Sequence, residues 1–487
     1  MDYSKLSFGA PAAERDINKG LAEYFVESEA FLRVMRGEKS IIIGNRGSGK
    51  SAIFKIIAER EKRAGRTIIE LSPEDYSYEM FSAVMKKEKE GSWAKQGAYA
   101  ASWKYILFVT IMKEITGGCG LKKGPAAHIF KYLNANFSGH QGNPIDLLLS
   151  YLKRFERLKI GTYEVAFQAR ELEKLYKLED INSLIPDVIN LCKQKKVMVL
   201  IDELDRGWDS SEDAKAFVSG LFQAAIKINE YTPDLRVLIS LRKELYDNIP
   251  VLYEDAQKYR DIIEYIQWDE ESLLNMVTKR IKYSLPELNK DSIEEFWDAV
   301  FAETLDYRGA KSFNYMVDRT LYRPREIIQF CTETSEIAKE FSSWPINYNV
   351  ISKAEIKYSE ERTKDIAAEY RFQYPGLLEV FEVFRGLPYN FDRNALELLC
   401  LKITLKECGV GEAESWCYGQ SYDFLIDVLW RVGFLRAQAV GGVKAIRRSG
   451  SIYLGSHQIS NLNLNNISRF HVHPMFRAFL GMKESRK

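Results

Sequence analysis

Short β-branched runs alternate with helical spacing through the first part of the chain. Ser40-Ile41-Ile42-Ile43 reads as a buried strand that ends in a glycine-rich turn. Residues 50 to 63 then place Ile53, Ile56 and Ile57 at helical spacing. Thr67 to Leu71 reads as a second strand. Val197 to Ile201 is unbroken apolar sequence, as expected of a strand covered on both faces of a parallel sheet. A helix over 211–229 and strands at Leu235 to Leu241 and Ile262 to Ile266 follow. This alternation predicts an α/β fold with a parallel sheet and right-handed crossovers. Residues 13–35 read as one or two helices through Leu21, Tyr24, Phe25, Phe31 and Leu32. Residues 76–195 look mostly helical and lack paired strands, so they read as a large insertion between sheet strands. Trp103, Leu107, Ile111 and Ile115 form a core stripe there, and Gly117-Gly118 and Gly139 to Pro144 break the helices.

From Asp269 the pattern becomes helical. Asp269 is placed to cap a helix carrying Leu273, Leu274, Val277 and Ile281. Pro324 suits the first position of another, followed by Ile327, Ile328 and Cys331. The predicted organisation is a core over 1–268, a helical subdomain over 269–345 and a C-terminal domain over 346–487, with the charged stretch 346–370 as a link. In the last domain, helices over Leu377 to Phe384, Ala395 to Cys400 and Phe424 to Trp430 run into Gly433-Phe434-Leu435. A candidate wing runs from Leu435 to Leu454 with turns at Gly441-Gly442 and Ser449-Gly450, a winged-helix-like pattern. Arg431, Arg436, Lys444, Arg447, Arg448, Arg469, Arg477, Lys483, Arg486 and Lys487 stand there against one acid, Glu484. That imbalance predicts a basic face for DNA or RNA phosphates, with contact to a protein as the equal alternative.

Composition narrows the picture. The 487 residues exceed one core, 46% are hydrophobic and 28% charged, and the net charge of +1 leaves any basic surface local. No run approaches the ~20 apolar residues of a membrane span. The opening Met-Asp-Tyr-Ser-Lys-Leu-Ser has no signal-peptide core, so a cytoplasmic protein is expected. Six cysteines without CxxC spacing read as buried reduced thiols. Cys408 and Cys417 with His471 and His473 match no standard zinc spacing.

The chemistry is concentrated in two places. Gly44-Asn45-Arg46-Gly47-Ser48-Gly49-Lys50-Ser51, followed by Ala52, fits GxxxxGK[ST] between a buried strand and a helix. Glycines let successive backbone N–H groups face phosphate oxygens, and the helix N-terminus adds its dipole. Lys50 would reach the β- and γ-phosphates, and Ser51 would ligate Mg²⁺. In Leu200-Ile201-Asp202-Glu203, Asp202 at a strand end would hold Mg²⁺, and Glu203 would orient and deprotonate water. Mg-ATP is therefore the expected cofactor and ATP hydrolysis the expected activity. Asn289-Lys290-Asp291-Ser292 fails the guanine-reading pattern. Asp205 and Asp209 are expected to be structural or interface residues.

With those residues placed, the chain resembles an AAA+ or STAND-like P-loop ATPase. It resembles most a poorly characterised bacterial family found near phage-defence genes. The resemblance rests on Ala13-Glu14-Arg15-Asp16 with Leu21 and Tyr24-Phe25, the P-loop through Ile53, and Ile201 to Asp205 with Gly207-Trp208. Leu238 to Ile249, Tyr259 to Leu274 and Tyr322 to Ile328 complete it. It implies that the helical subdomain is a lid and that Ser240 is a sensor of the γ-phosphate. Arg325, with Arg323 as the competitor, would be the lid arginine. Arg260, with Arg242 as the competitor, would be a finger offered to a neighbour's ATP. It further implies a homo-oligomer and a role in defence against phage, or a slow nucleotide-controlled switch that holds an effector protein.

Overall fold

The computed structural model describes residues 2–71, 92–117, 123–137, 178–204, 211–249, 259–438, 453–459 and 462–484. The chain divides into two compact units. One comprises Glu27–Asn45 and Lys50–Gln267; the other comprises Met1–Val26, Arg46–Gly49 and Trp268–Lys487.

The sheet unit holds five parallel strands: β1 (Ile41–Gly44), β2 (Thr67–Leu71), β3 (Val197–Ile201), β4 (Leu235–Arg242) and β5 (Ile263–Tyr265). Their order is β2-β3-β4-β1-β5. β1 and β3 are buried throughout, which is why both read as unbroken apolar runs. β4 lies between them, with Ile239 in register with Ile41 on one side and Ile201 on the other. The ends of β1 and β3 therefore flank the end of β4.

Helices α1 (Glu29–Arg36), α2 (Lys50–Arg63), α3 (Ser92–Thr116), α4 (Pro125–Phe137), α5 (Leu178–Gln194) and α6 (Glu212–Asn229) complete this unit. The expected helical reading of 76–195 holds for its described residues. α3 buries Trp103, Leu107, Ile111 and Ile115 together with Tyr105, Phe108 and Met112, as a helix enclosed by its own unit must. It meets α6 at Gly220, where an added Cβ would fall 2.7 Å from Ala100 N. Trp103 Nε1 donates to Phe217 O at 3.1 Å across the same contact. The inserted helices thus share one core with the sheet.

Of the one or two helices expected over 13–35, α1 of the sheet unit covers the end; the part in the second unit is instead a series of short pieces: Ala13–Asp16, a 3-10 turn at Ile17–Lys19, and Leu21–Tyr24. Gly20, at φ +102°, breaks the run, and Phe25 is extended. Asp16 holds these pieces. Its buried carboxylate accepts from Ala10 N at 2.5 Å and Tyr24 Oη at 2.8 Å, and pairs with Arg280 at 2.9 Å. Residues 2–26, expected in the core, accordingly pack with the helices that carry Arg280.

Those helices are α7 (Glu270–Ser284), α8 (Ile293–Asp298), α9 (Ser312–Val317), α10 (Pro324–Phe341) and α11 (Tyr348–Glu369). Asp269 and Ser272 form a capping box at the start of α7, and Pro324 opens α10, both as expected. The expected link over 346–370 is corrected. It is the 22-residue helix α11, whose Tyr358 stacks on Phe330 of α10 at 4.3 Å.

Helices α12 (Leu377–Glu382), α13 (Arg393–Thr404) and α14 (Tyr422–Arg431) then lead into an antiparallel sheet ordered β6-β9-β7-β8. Its strands are β6 (Asn390–Asp392), β7 (Leu435–Gln438), β8 (Tyr453–Leu454) and β9 (Arg469–Val472). β7 pairs with β8 as the arms of the expected wing, whose turns lie outside the described residues. Helices feeding such a hairpin are a winged-helix-like arrangement.

The basic face needs correction. Arg436 is 3% exposed and donates to Asp318 Oδ1 at 2.6 Å, Asp318 O at 2.8 Å and His473 Nε2 at 2.8 Å. Arg477 donates to Val472 O and stacks on Tyr389. Arg431 pairs with Asp427. Arg469 and Lys483 stay exposed, while Lys444, Arg447, Arg448, Arg486 and Lys487 lie outside the described residues.

Two stability predictions follow from these packings. Asp16→Ala leaves Arg280 buried without its carboxylate and should cost about 3–5 kcal/mol in urea unfolding; an unchanged midpoint would contradict the assignment. Both ring nitrogens of His457 are buried without a hydrogen-bond partner, and burial, with Arg436 and Arg323 adding to it, pushes its pKa down to about 3. A histidine depressed in the folded state takes up its proton first in the unfolded chain. Its contribution is therefore complete above about pH 6.5 and fades as pH falls toward 3. At pH 5 the loss should be about 2 kcal/mol, and His457→Phe should remove that part of the pH slope.

Candidate nucleotide site

The sheet unit gathers most of the expected chemistry at one edge, where its parallel strands end. β1 delivers Gly44 and Asn45, and α2 begins at Lys50, with Ser51 and Ala52 in its first turn. Lys50 is 9% exposed, and its ammonium donates to Gly44 O at 2.7 Å and Asn45 O at 3.0 Å. β3 delivers Asp202 and Glu203, both half-buried. Asp202 Oδ1 accepts from Glu203 N at 2.8 Å, which fixes the first carboxylate against the peptide of the second. Glu203 sits at φ +59°, a left-handed backbone that a residue with a Cβ adopts only when its surroundings impose it.

Ser240 lies on β4 between these two strand ends, in register with Ile42. It is 1% exposed, and its Oγ has no hydrogen-bond partner. A buried hydroxyl left unmatched is uncommon, and here it stands on the strand between the glycine-rich loop and the acidic pair. Arg242, the last residue of β4, is in register with Gly44 and lies 3.7 Å from Glu244. Arg260 is not brought to this edge. It is exposed just before β5, whose Ile263 is in register with Ile41 at the start of β1, so it stands at the opposite edge of the sheet. Asp205, Gly207, Trp208 and Asp209 lie outside the described residues.

The tip of the loop, Arg46 to Gly49, groups with the second unit. Gly47 and Gly49 have φ of +78° and +98°. A Cβ on Gly47 would meet Arg325 Cβ at 3.0 Å, so glycine is required there both for its backbone and for space. Ser48 Oγ is a second buried hydroxyl without a partner. Three groups of this unit bond the tip. Trp268 Nε1 donates to Ser48 O at 2.8 Å, Arg323 Nη1 to Arg46 O at 3.3 Å and Arg325 N to Gly47 O at 3.3 Å.

Of the two candidate lid arginines, Arg323 is the buried one. It is 6% exposed and paired with Glu369 at 2.8 Å, with Glu326 at 3.7 Å. Arg325 Nε donates to Pro11 O at 3.2 Å. Trp268 was missed as a site residue. Its only signal in the sequence was a position directly before the Asp269 cap.

Arg323 closes the turn Asp318 to Arg323, which the C-terminal domain grips. Arg436 bonds Asp318, the His457 ring stacks on Tyr322 at 5.3 Å, and a Cβ on Gly433 would meet Leu321 at 2.9 Å. Tyr322 is held at φ +56° within this grip.

Among the described residues no helix is long and apolar enough to cross a membrane. Nor do three or more His, Cys, Asp or Glu side chains gather there as a metal-binding group.

Comparison with known proteins adds three findings. The family described as the FunZ-associated C-terminal helical domain matches residues 271–367, which takes in α7 to α10 and nearly all of α11. The 80.3 kDa protein named for transposon gamma-delta in Escherichia coli (strain K12) is 24% identical over 404 residues, 78% of this chain. This chain spans about half of that relative's length, 54%. Structures of the Aeropyrum pernix ORC2 protein, as ADPNP–ADP complexes and in the ADP form, align at 11% and 10% identity with a TM-score of 0.30 each. These alignments cover 96% of this chain and 95% and 92% of the others. A score that low leaves the fold to be argued from the sheet itself.

The left-handed backbone of Glu203 supplies a test. Glu203→Gly should raise stability by about 1 kcal/mol in urea unfolding by relieving that conformation. A destabilised variant would show that the Glu203 side chain, rather than its backbone, serves the fold.

Proposed function

We propose that the chain is a Mg-ATP-binding P-loop ATPase. The observation that carries this reading is the strand order. It sets a glycine-rich loop and an acidic pair on either side of a strand whose buried Ser240 hydroxyl is unmatched. The residues fit the nucleotide. Two left-handed glycines, a buried lysine and a helix start supply donors for phosphates. Ser51 and Asp202 would hold the metal, which neutralises phosphate charge when bound. Lys50 would exchange its two carbonyl acceptors for β- and γ-phosphate oxygens. Glu203 would orient water and take its proton, and Ser240 would donate to the γ-phosphate or to that water.

Arg325 is the lid arginine of this proposal, because Arg323 is committed to Glu369. Arg260, at the far edge of its own sheet, would act only on a neighbouring copy's ATP, so its role requires a homo-oligomer. Hydrolysis would be coupled to the C-terminal domain through the gripped turn at Asp318 to Arg323. The proposed setting, defence against phage, is carried by the sequence resemblance alone.

A second reading is a slow nucleotide-controlled switch that holds an effector protein through the C-terminal domain. It is favoured by the inward commitment of Arg436 and Arg477, which removes charge from the proposed nucleic-acid face. Leu398 and Leu401 of α13, and Leu405 just past its end, also stay exposed.

ATP hydrolysis by wild type and Glu203→Gln, with and without DNA or RNA, tests both. The ATPase reading expects the variant to lose turnover by on the order of a hundredfold or more while still binding ATP. Stimulation by nucleic acid that declines with salt supports remodelling of nucleic acid. Indifference to nucleic acid supports the switch. A variant with wild-type turnover removes Glu203 from the mechanism.

A further inference from the structure

We propose that Trp268 and Arg323 are positioning residues that set the P-loop for phosphate by holding its carbonyls. This inference rests on the ATP-binding reading and concerns what gives the loop its shape.

A phosphate cradle needs several N–H groups aimed to one side of the chain. In a planar trans peptide, the carbonyl of one residue and the N–H of the next point in opposite directions. Holding the carbonyls of Arg46, Gly47 and Ser48 therefore fixes, peptide by peptide, the direction of the N–H groups of Gly47, Ser48 and Gly49. Three consecutive carbonyls are held in this way by Arg323 Nη1, Arg325 N and Trp268 Nε1. The glycine φ values of +78° and +98° give the backbone the freedom to turn, but freedom alone selects no direction.

The holding groups are themselves fixed. Trp268 precedes the capping box of α7, and its ring packs against the helical core. Arg323 is the N-cap residue of α10, and its guanidinium is pinned by Glu369. Arg325 N is one of the N-terminal donors that a helix leaves without an internal acceptor, and Gly47 O supplies one. An indole N–H is a donor only, so Trp268 can serve the loop in no other polar role.

Trp268→Phe keeps an aromatic ring, though a smaller one, and removes the donor; Trp268→Ala removes both. Mg-ATP affinity by calorimetry and KM and kcat by steady-state hydrolysis should be measured for wild type, both variants, Arg323→Lys and Lys50→Ala. Melting of each protein without nucleotide should accompany them. Losing one held carbonyl should weaken ATP binding and raise KM by about tenfold. The change in kcat should be smaller, and melting of Trp268→Phe should be unchanged. Trp268→Phe and Trp268→Ala should be alike in affinity, and Arg323→Lys should show the same KM-weighted loss. If Trp268→Phe binds as wild type does while only Trp268→Ala is weakened, ring packing and not the donor matters, and the proposal is overturned. Wild type that binds ATP and Lys50→Ala that does not would leave the nucleotide site standing in that case. If wild type binds no ATP, the nucleotide reading fails and this proposal fails with it.

Discussion

Phosphate binding by backbone requires peptide groups that all face one way, and nothing in a glycine-rich loop enforces that. Lys50 holds only the carbonyls of Gly44 and Asn45, so at the loop tip the restraint must come from donors that the loop does not contain. Here the loop tip is bonded through its carbonyls, and the groups that bond it are an indole and a buried arginine with little freedom of their own. Within the sheet unit the other site features are fixed too. Lys50 is buried at the start of α2, and Asp202 is locked to the peptide of Glu203. Ser240 lies between them without an acceptor or donor. If the loop binds nucleotide as proposed, such preorganisation spares the reorganisation that a mobile loop would undergo on binding.

Much of the sheet unit was legible in the sequence because parallel strands are buried on both faces and cannot hide their composition. Val197 to Ile201 and the run before Gly44 are of this kind. The glycine-rich loop and the acidic pair stand out as motifs because their residue types are dictated by backbone space and charge. What escaped reading was polar and long-range. Asp16 looks like one charge among several in Ala13 to Asp16, yet it is buried against Arg280, far away in sequence. Arg436 and Arg477 look like surface bases, yet they satisfy Asp318, His473 and a backbone carbonyl. Net charge along a segment cannot reveal which cations are turned inward.

Helix α11 escaped for a related reason. It buries Glu355, Ser359, Arg362 and Thr363 while leaving Ile356 61% exposed. Its apolar pattern is therefore partly inverted, and it read as a charged link. Hydrogen bonds replace hydrophobic burial on that side. Ser359 Oγ donates to Met475 O, and Glu355 accepts from Arg319 and Tyr315. A helix held to both of its neighbours by such directional contacts keeps a defined rotation, which simple apolar packing specifies less sharply.

That rotation matters because Glu369, at the end of α11, is the carboxylate that pins Arg323. The C-terminal domain acts on the same turn from its other side, through Arg436 on Asp318 and His457 on Tyr322. A change in how the C-terminal domain sits against this turn would shift Tyr322, whose costly left-handed backbone persists only while its surroundings impose it. Arg323 follows Tyr322 directly, and its guanidinium holds Arg46 O. A displaced guanidinium frees that carbonyl, and the peptide plane that carries the N–H of Gly47 can then turn. The distance from the C-terminal domain to the proposed phosphate cradle is thus one turn of chain and one side chain. Coupling between them needs no long pathway, only two ways for the Asp318 to Arg323 turn to be held.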